Sequence, residues 1–396
     1  MVRRLKEAAG RWLGNRLPWV FARLRRHRPI VSLRKYAVVT LAADVREVLD
    51  DHHAFTVALY APKMEAITGP FILGLDDTPL YRHDDAALHA AVRPDDVPGV
   101  AEIVLATARE RLDAGGEVDV VRDVVEPAID RAIASYFGTP APDTATQVRW
   151  AKTLFRDIFL NVGNDAAVHQ RALDAAGEMR PHLDRLVAQR KAALAAGGDV
   201  PDDVLTRLLR AQDEPGGLHD VAIRHNFIGL IAGWIPTVSK AFTLALDELL
   251  GRGHELEAAK RAAREGDREL VGAYVFEAMR FRPQASGLLR KCAVDRVVAE
   301  GTKRARTVHA GATVLVATES AMFDPAAVPS PNAFRIDRPF EAYLHFGHGL
   351  HTCFGLAINR AQLPALGLAL LERPGLRRAQ RLRWEGPFPS SLRVAV

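Results

Sequence analysis

Apolar residues recur every third or fourth position along most of the chain, a spacing that places them on one face of an α-helix. The pattern differs in the stretch 220–250, which is largely apolar on all sides. A helix of that kind runs through a protein core rather than over its surface. The predicted helices cover 101–112, 121–137, 168–196, 220–250, 267–281 and a segment from Cys353 to about Leu371.

Two further segments predict β-structure. Residues 288–298 and 306–316 each contain several valines and read as short strands. From 317 to 350 the chain carries repeated proline, glycine and asparagine and is expected to be irregular. The pattern predicts a mainly α protein with small β-sheets. We expect one globular domain over residues 31–396, preceded by an arm at 1–30.

Charge is concentrated in the N-terminal arm. The chain has 53 basic and 48 acidic residues, a formal net charge of +5. The arm holds nine of the bases and one acid, so the rest of the chain carries −3. A basic balance of this origin does not predict a nucleic-acid-binding body.

The arm also contains Trp12, Trp19 and Phe21, and three interpretations of it stay open. It is a solvated amphipathic helix packed on the body, a helix lying on an anionic membrane surface, or a transit-like leader. The first predicts a cytoplasmic protein, and the second predicts peripheral membrane contact.

Composition narrows the class of protein. With 396 residues, 48% hydrophobic and 26% charged, the chain is long enough and apolar enough for a core and a cofactor cavity. Its two cysteines exclude a disulfide-dense scaffold and a zinc site with three or four thiolates.

The chemistry is concentrated in one segment, Phe346-Gly-His-Gly-Leu-His-Thr-Cys353-Phe-Gly355. A glycine-bracketed loop holds a cysteine immediately before an apolar helix, and the glycines permit close approach of backbone to a flat ligand. The helix N-terminus favours an anionic sulfur. A thiolate held in this way can ligate haem iron and favour O–O cleavage.

This segment resembles the haem-binding signature of cytochromes P450, Phe-Gly-x-Gly-x-His-x-Cys-x-Gly, with every fixed position present. The resemblance implies the P450 fold, with haem b between a long distal helix and the proximal cysteine loop. It implies that Cys353 is the iron ligand, that Phe346 shields the sulfur and that His351 bonds a haem propionate. Gly347 and Gly355 are the glycines that let the loop approach the haem.

Other residues fall in the family's order. Glu277 and Arg280 match its Glu-x-x-Arg helix, and Arg338 stands where the family supplies a third, locking charge. Arg290 matches a propionate-binding arginine. Tyr81 replaces a frequent propionate-side histidine and is a candidate for the same role, which Arg82 or His83 would otherwise take.

The long helix departs from the family at Ala232-Gly-Trp-Ile-Pro-Thr237. Typical members have an acid–alcohol pair after Ala-Gly that relays protons to reduced dioxygen. Here Ile235 and Pro236 occupy those positions. Pro236 also donates no backbone hydrogen bond, which predicts a kink and a freed Ala232 carbonyl. Thr237 either restores the alcohol or bonds its own helix backbone.

We expect a mostly apolar substrate pocket. Trp234 either lines this pocket or packs outward. The residues predicted to line it are Phe227, Leu230, Ile231, Trp234 and Thr237 of the long helix, and Ser286, Gly287 and Leu288 after the Glu-x-x-Arg helix.

Three functions stay open. The first is a P450 monooxygenase of secondary metabolism, acting on a small, largely apolar organic substrate. Its electrons would come from NAD(P)H through a reductase and a ferredoxin or flavodoxin. The second is an enzyme driven by peroxide or a hydroperoxide, which needs no two-proton relay. The third is a non-catalytic haem protein that recruits a partner.

Overall fold

Helices make up most of the chain in the computed structural model, which describes residues 16–396. The part of the predicted arm at 1–15 lies outside the described residues. The α-helices are α1 (Leu17–His27), α2 (Ala42–Asp50), α3 (Ala61–Ile67), α4 (Pro79–Ala91), α5 (Val97–Leu112), α6 (Glu126–Ala132), α7 (Thr144–Phe155), α8 (Ala166–Ala195), α9 (Val204–Arg210), α10 (Asp220–Leu249), α11 (Gly253–Arg264), α12 (Arg268–Phe281), α13 (Thr318–Ala321) and α14 (Leu356–Leu371).

The strands are short. They are β1 (Ile30–Ser32), β2 (Tyr36–Val39), β3 (Phe55–Thr56), β4 (Glu117–Asp119), β5 (Leu288–Cys292), β6 (Arg296–Val298), β7 (Arg306–Val308), β8 (Thr313–Val316), β9 (Arg377–Arg378), β10 (Arg383–Glu385), β11 (Phe388–Ser391) and β12 (Arg393–Ala395). Helical turns with wider hydrogen bonding flank α6 at Val120–Val125 and Ile133–Phe137 and follow α7 at Arg156–Leu160.

The helix boundaries follow local capping chemistry. The Asp165 carboxylate accepts from two backbone N–H groups at the start of α8, which supplies partners to groups that a helix end leaves open. Just beyond the end of α8, Gly197 adopts φ +67°. Asp203 caps α9 through the Thr206 N–H. The predicted helix at 168–196 and its end are therefore confirmed.

The chain divides into two compact units. The first unit comprises residues up to 59 and residues 273–356. It contains a five-stranded sheet in the order β1-β2-β8-β5-β3, in which only β2 and β8 run parallel. The strands β6 and β7 form an antiparallel hairpin that falls between β5 and β8 along the chain. Each predicted strand segment is thus two strands, because turns interrupt it, with Gly311 at φ +81° in the second.

The second unit comprises residues 60–272 and 357–396. It is built around α10, which packs against α6, α7 and α8. Two small antiparallel sheets, β4-β12-β9 and β10-β11, complete it.

Helix α10 is long and apolar enough to cross a bilayer, and within residues 16–396 no other helix meets that test. Of its most apolar window, 78% is buried inside the structure. This burial is what a core helix requires, as the all-round apolar pattern predicted.

Candidate functional site

Residues 346–355, the cysteine loop, are held by backbone hydrogen bonds. The Cys353 N–H donates to the Phe346 carbonyl at 2.8 Å, which closes the loop. The Leu356 N–H donates to the Cys353 carbonyl at 3.0 Å. Helix α14 therefore begins three residues after the cysteine, later than predicted. Cys353 precedes the first helical turn, where backbone N–H groups favour an anionic sulfur.

Two glycines give the loop its path. Gly347 has φ +77° and Gly349 has φ +72°, a region that side chains rarely adopt. A Cβ on Gly349 would also lie 2.5 Å from the Leu49 carbonyl oxygen at the end of α2. The loop is therefore pressed against α2 at a position that only glycine fits.

A histidine of the loop ties it to the same helix. Arg46 donates to His348 Nδ1 at 3.2 Å, and His348 Nε2 donates to Asp50 at 3.2 Å. The sequence did not indicate these contacts, because His348 lies about 300 positions from Arg46 and Asp50 and no local pattern links them.

The aromatic ring of Phe346 is positioned by α12. Its centroid lies 6.3 Å from that of Phe276 and 6.1 Å from that of Phe340. His345 Nε2 donates to the Phe276 carbonyl at 3.0 Å. Burial lowers the pKa of His345 to about 4, so the ring next to the loop is neutral at pH 7.

A buried charge cluster lies one residue beyond Phe276. Glu277 and Arg280 have no exposed side-chain surface and form two hydrogen bonds, of 2.7 and 2.9 Å. Arg338 Nε donates to the Glu277 carboxylate at 3.2 Å. Tyr343, which sequence reasoning missed, donates its hydroxyl at 3.1 Å. The structure thus brings together the three residues that the family pattern singled out.

The surface of the cysteine loop fits a flat, apolar, iron-containing cofactor. Phe346, Leu350 and Cys353 all keep accessible surface, so the loop presents apolar side chains around one thiol. In the same unit, His351 is partly accessible and Arg290, on β5, is 5% exposed. A thiolate donor, an apolar surface and cationic or hydrogen-bonding groups are what a haem with propionates requires.

Tyr81, Arg82 and His83 lie on or near the first turns of α4 in the second unit. Tyr81 is 8% exposed, and burial, with Asp85 and Asp77 nearby, raises the pKa of its hydroxyl. Arg82 is bonded to Asp77 at 2.6 Å and His83 to Asp84 at 3.0 Å. Asp77 and Asp84 therefore engage Arg82 and His83, and the propionate contact of Tyr81 stays a prediction.

The hydroxyl of Thr237 is used by its own helix. It donates to the Gly233 carbonyl at 2.6 Å and approaches the Trp234 carbonyl at 3.2 Å. Of the two interpretations of Thr237, these bonds favour the backbone one. Helix α10 continues through Pro236 without interruption, and the kink there and the freed Ala232 carbonyl stay predictions.

Three residues predicted to line the pocket are buried in the second unit. The Trp234 ring meets Phe137 edge-on at 5.0 Å, and its Nε1 donates to Gln362 at 3.1 Å. Phe227 also packs on Phe137, at 5.6 Å. Ile231 is 0% exposed. Phe227 and Trp234 thus share a helix face that packs on Phe137, and the pocket role of all three residues stays a prediction.

A different face of α10 stays accessible. Leu230, Gly233, Thr237 and Lys240, spaced three, four and three residues apart, all keep accessible surface and fall on one side of an ideal helix. We call this the accessible face. It includes Leu230 and Thr237 of the predicted pocket. Lys240 was missed, although the sequence marks it as the only ionisable residue between His225 and Asp247.

The predicted opposite wall lies in the first unit, at the start of β5. Ser286, Gly287 and Leu288 are partly accessible. A Cβ on Gly287 would lie 2.6 Å from the Val316 carbonyl oxygen of β8, so the approach of the neighbouring strand requires glycine there. The contribution of these residues to a pocket stays a prediction.

Comparison with known proteins identifies the family that has this fold and this cysteine loop. A model of the cytochrome P450 family matches residues 101–373. The chain belongs to the cytochrome P450 family. Members of this family carry haem whose iron is bound by a cysteine thiolate, and the donor set of the loop fits that cofactor.

Two curated relatives are bacterial proteins, one named as a P450 monooxygenase and one as an epoxidase. The chain is 30% identical to cytochrome P450 monooxygenase PikC of Streptomyces venezuelae over 70% of its length, and 30% identical to cyclomarin C epoxidase CymV of Salinispora arenicola over 71%. The matched stretches span 61% and 65% of those two proteins.

Solved P450 structures share the fold over nearly the whole chain. CalO2 superposes with a TM-score of 0.82 at 25% identity, and 96% of each chain is covered. Epothilone D-bound P450epoK superposes with a TM-score of 0.79 at 22% identity, with 95% of each chain covered. The predicted fold class is therefore confirmed.

The contact of Gly349 with α2 predicts a specific cost of substitution. We expect Gly349→Ala to destabilise the protein by about 1–2 kcal/mol through its positive φ and by roughly 1–3 kcal/mol more through the clash with Leu49. The control is Gly301→Ala, where φ is +77° but a Cβ would meet nothing within 4 Å. Urea unfolding measures both, and equal costs would contradict the clash.

The buried charge cluster predicts a larger effect. Arg280→Met leaves the Glu277 carboxylate buried without its principal partner, and we expect a loss of about 3–5 kcal/mol. The control is Arg335→Ala, which removes an exposed pair with Asp337 and should cost less than about 1 kcal/mol. Chemical denaturation of both variants checks this, and similar losses would show that the cluster is not a structural anchor.

Proposed function

We propose that this P450 is a haem-thiolate monooxygenase that inserts one oxygen atom of dioxygen into a small, largely apolar organic molecule. The observation that supports this most directly is the cysteine loop, with Cys353 before α14 and Phe346 against the α12 aromatic cluster. The bound haem supplies the activation of oxygen. The relatives named as monooxygenase and epoxidase support the same class of reaction.

In this proposal the chain positions the cofactor and the substrate. Cys353 donates the thiolate, and Phe346 keeps water from the sulfur. His351, Arg290 and Tyr81 offer donors to the propionates. Leu230 and Thr237, on the accessible face of α10, form the distal wall in this proposal, and Ser286, Gly287 and Leu288 keep the pocket role that the sequence predicts for them.

Proton supply distinguishes this chain from its typical relatives. Monooxygenation consumes two protons and two electrons for each dioxygen. Ile235 and Pro236 carry no exchangeable proton, and the Thr237 hydroxyl donates to Gly233. The protons must then reach the distal side through water or a substrate group.

The replacement of the acid–alcohol pair by Ile235 and Pro236 also supports a second candidate, an enzyme driven by hydrogen peroxide or an organic hydroperoxide. Peroxide brings its O–O bond already reduced, so the loss of the acid–alcohol pair costs such an enzyme little. We rank it second because the named relatives are monooxygenases and an epoxidase.

The monooxygenase proposal implies partners. We propose that electrons come from NAD(P)H through a reductase and a ferredoxin or flavodoxin that docks near His348 and the exposed Arg360. We place the enzyme in the cytoplasm and in secondary metabolism. Relatives named for cyclomarin C and 20-oxo-5-O-mycaminosyltylactone support the latter.

The test compares two oxidant regimes on one panel of fatty acids, terpenes, aromatics and macrolides. We expect turnover with a surrogate ferredoxin system, NADPH and catalase. Because Thr237 is bonded to its helix, Thr237→Val should change that turnover less than about tenfold, well short of the loss expected when a general acid is removed.

Product formed only with hydrogen peroxide, and none with the reductase system, would contradict the monooxygenase proposal and establish the second candidate. If protein with a normal haem spectrum forms no product with either oxidant, the non-catalytic interpretation is supported. The turnover of Thr237→Val is compared with that of the wild type only if both proteins carry the same amount of haem.

A further inference from the structure

The accessible face of α10 has space in front of it. A Cβ added at Gly233 would meet nothing within 4 Å, whereas one added at Gly229, one turn earlier, would strike Phe71 at 2.4 Å. Leu230 and Thr237 flank Gly233 and keep accessible surface. This face therefore has room for a ligand, while the Trp234 side of the helix is filled by protein.

Lys240 lies at the end of that face. Residues 226–246 contain no other ionisable side chain. Within residues 16–396, Lys240 makes no hydrogen bond or ion pair. Burial lowers the pKa of Lys240 to about 8, and no acid offsets it. Lys240 keeps some accessible surface, and a partly desolvated ammonium without a counter-ion is available to pair with a negative charge on a ligand.

The direction of the side chain connects Lys240 to the open space. Helical side chains lean toward the N-terminal end of their helix, over the residues three and four positions earlier. In an ideal helix this lean carries the stem of Lys240 over the turn that contains Thr237. The Thr237 hydroxyl already donates to Gly233, so the Lys240 ammonium is the strong hydrogen-bond donor that the accessible face offers to a ligand.

We propose that Lys240 binds a carboxylate of the substrate and makes this P450 selective for organic acids over neutral analogues. A single ammonium on an apolar surface matches one negative charge, whereas a phosphate dianion would keep an uncompensated charge there. The inference rests on the proposed function, because that function makes the accessible face of α10 the distal wall. A haem propionate is the other carboxylate available, and the test separates the two.

The probes are ω-(imidazol-1-yl)alkanoic acids of increasing chain length and their methyl esters. Their imidazole coordinates haem iron and shifts its absorption, so affinity is read without turnover and without the natural substrate. At the best chain length we expect the acid to bind the wild-type holoprotein roughly tenfold more tightly than the ester, the size of one charged hydrogen bond.

Lys240→Met should reduce this preference to less than about twofold, since an apolar side chain cannot pair the carboxylate. Lys240→Arg should keep most of it. The control is Lys303→Met, an exposed lysine of the first unit, which changes the net charge equally and should leave the preference intact. Haem content and the urea midpoint of each variant show that the fold is retained.

Each failure has its own meaning. If imidazole itself produces no shift, the protein lacks an accessible haem iron and the proposed function is wrong. A normal shift with no preference for the acid, or an unchanged preference in Lys240→Met, overturns the role of Lys240 alone. Loss of haem from Lys240→Met, with no acid preference in the wild type, assigns the lysine to a propionate and overturns substrate recognition.

Discussion

The first unit depends on one buried carboxylate. Glu277 is 0% exposed and accepts hydrogen bonds from Arg280, Arg338 and Tyr343. A buried charge is tolerated only when it is paired and its remaining lone pairs are bonded. Arg280 also donates to the carbonyls of Met322 and Pro331, so one cluster fixes the irregular segment that leads to the cysteine loop.

A series of side-chain contacts links Glu277 to the cysteine loop. Tyr343 stacks against His345, with ring centroids 5.2 Å apart. Burial, and then the Glu277 carboxylate, raise the pKa of the Tyr343 hydroxyl. Phe276, the neighbour of Glu277, holds both His345 and Phe346. Phe346 in turn accepts the Cys353 N–H through its carbonyl, so these contacts connect the buried cluster to the cysteine. The glycine contact with α2 fixes the other side of the loop.

The sequence predicted the strongly periodic helices and the cysteine loop, because each depends on residues that are close together in the sequence. It did not predict which face of α10 is accessible. Lys240 is the single ionisable residue that marks this face in the sequence, and that signal was missed. Trp234, for which two interpretations stayed open, packs on Phe137 and donates to Gln362. Gln362 is the polar partner that the buried indole N–H requires. Contacts such as Gly349 with Leu49 join distant segments and leave no local signal.

The proposed activity requires that Cys353 ligate haem iron as a thiolate. The most direct measurement is the carbon monoxide difference spectrum of the dithionite-reduced protein, taken for the wild type, Cys353→Ala and Cys292→Ala. Cys292 is the other cysteine of the chain and is buried in β5. The account predicts the long-wavelength band that gives the family its name in the wild type and in Cys292→Ala, and its absence in Cys353→Ala. Retention of the band in Cys353→Ala would contradict it.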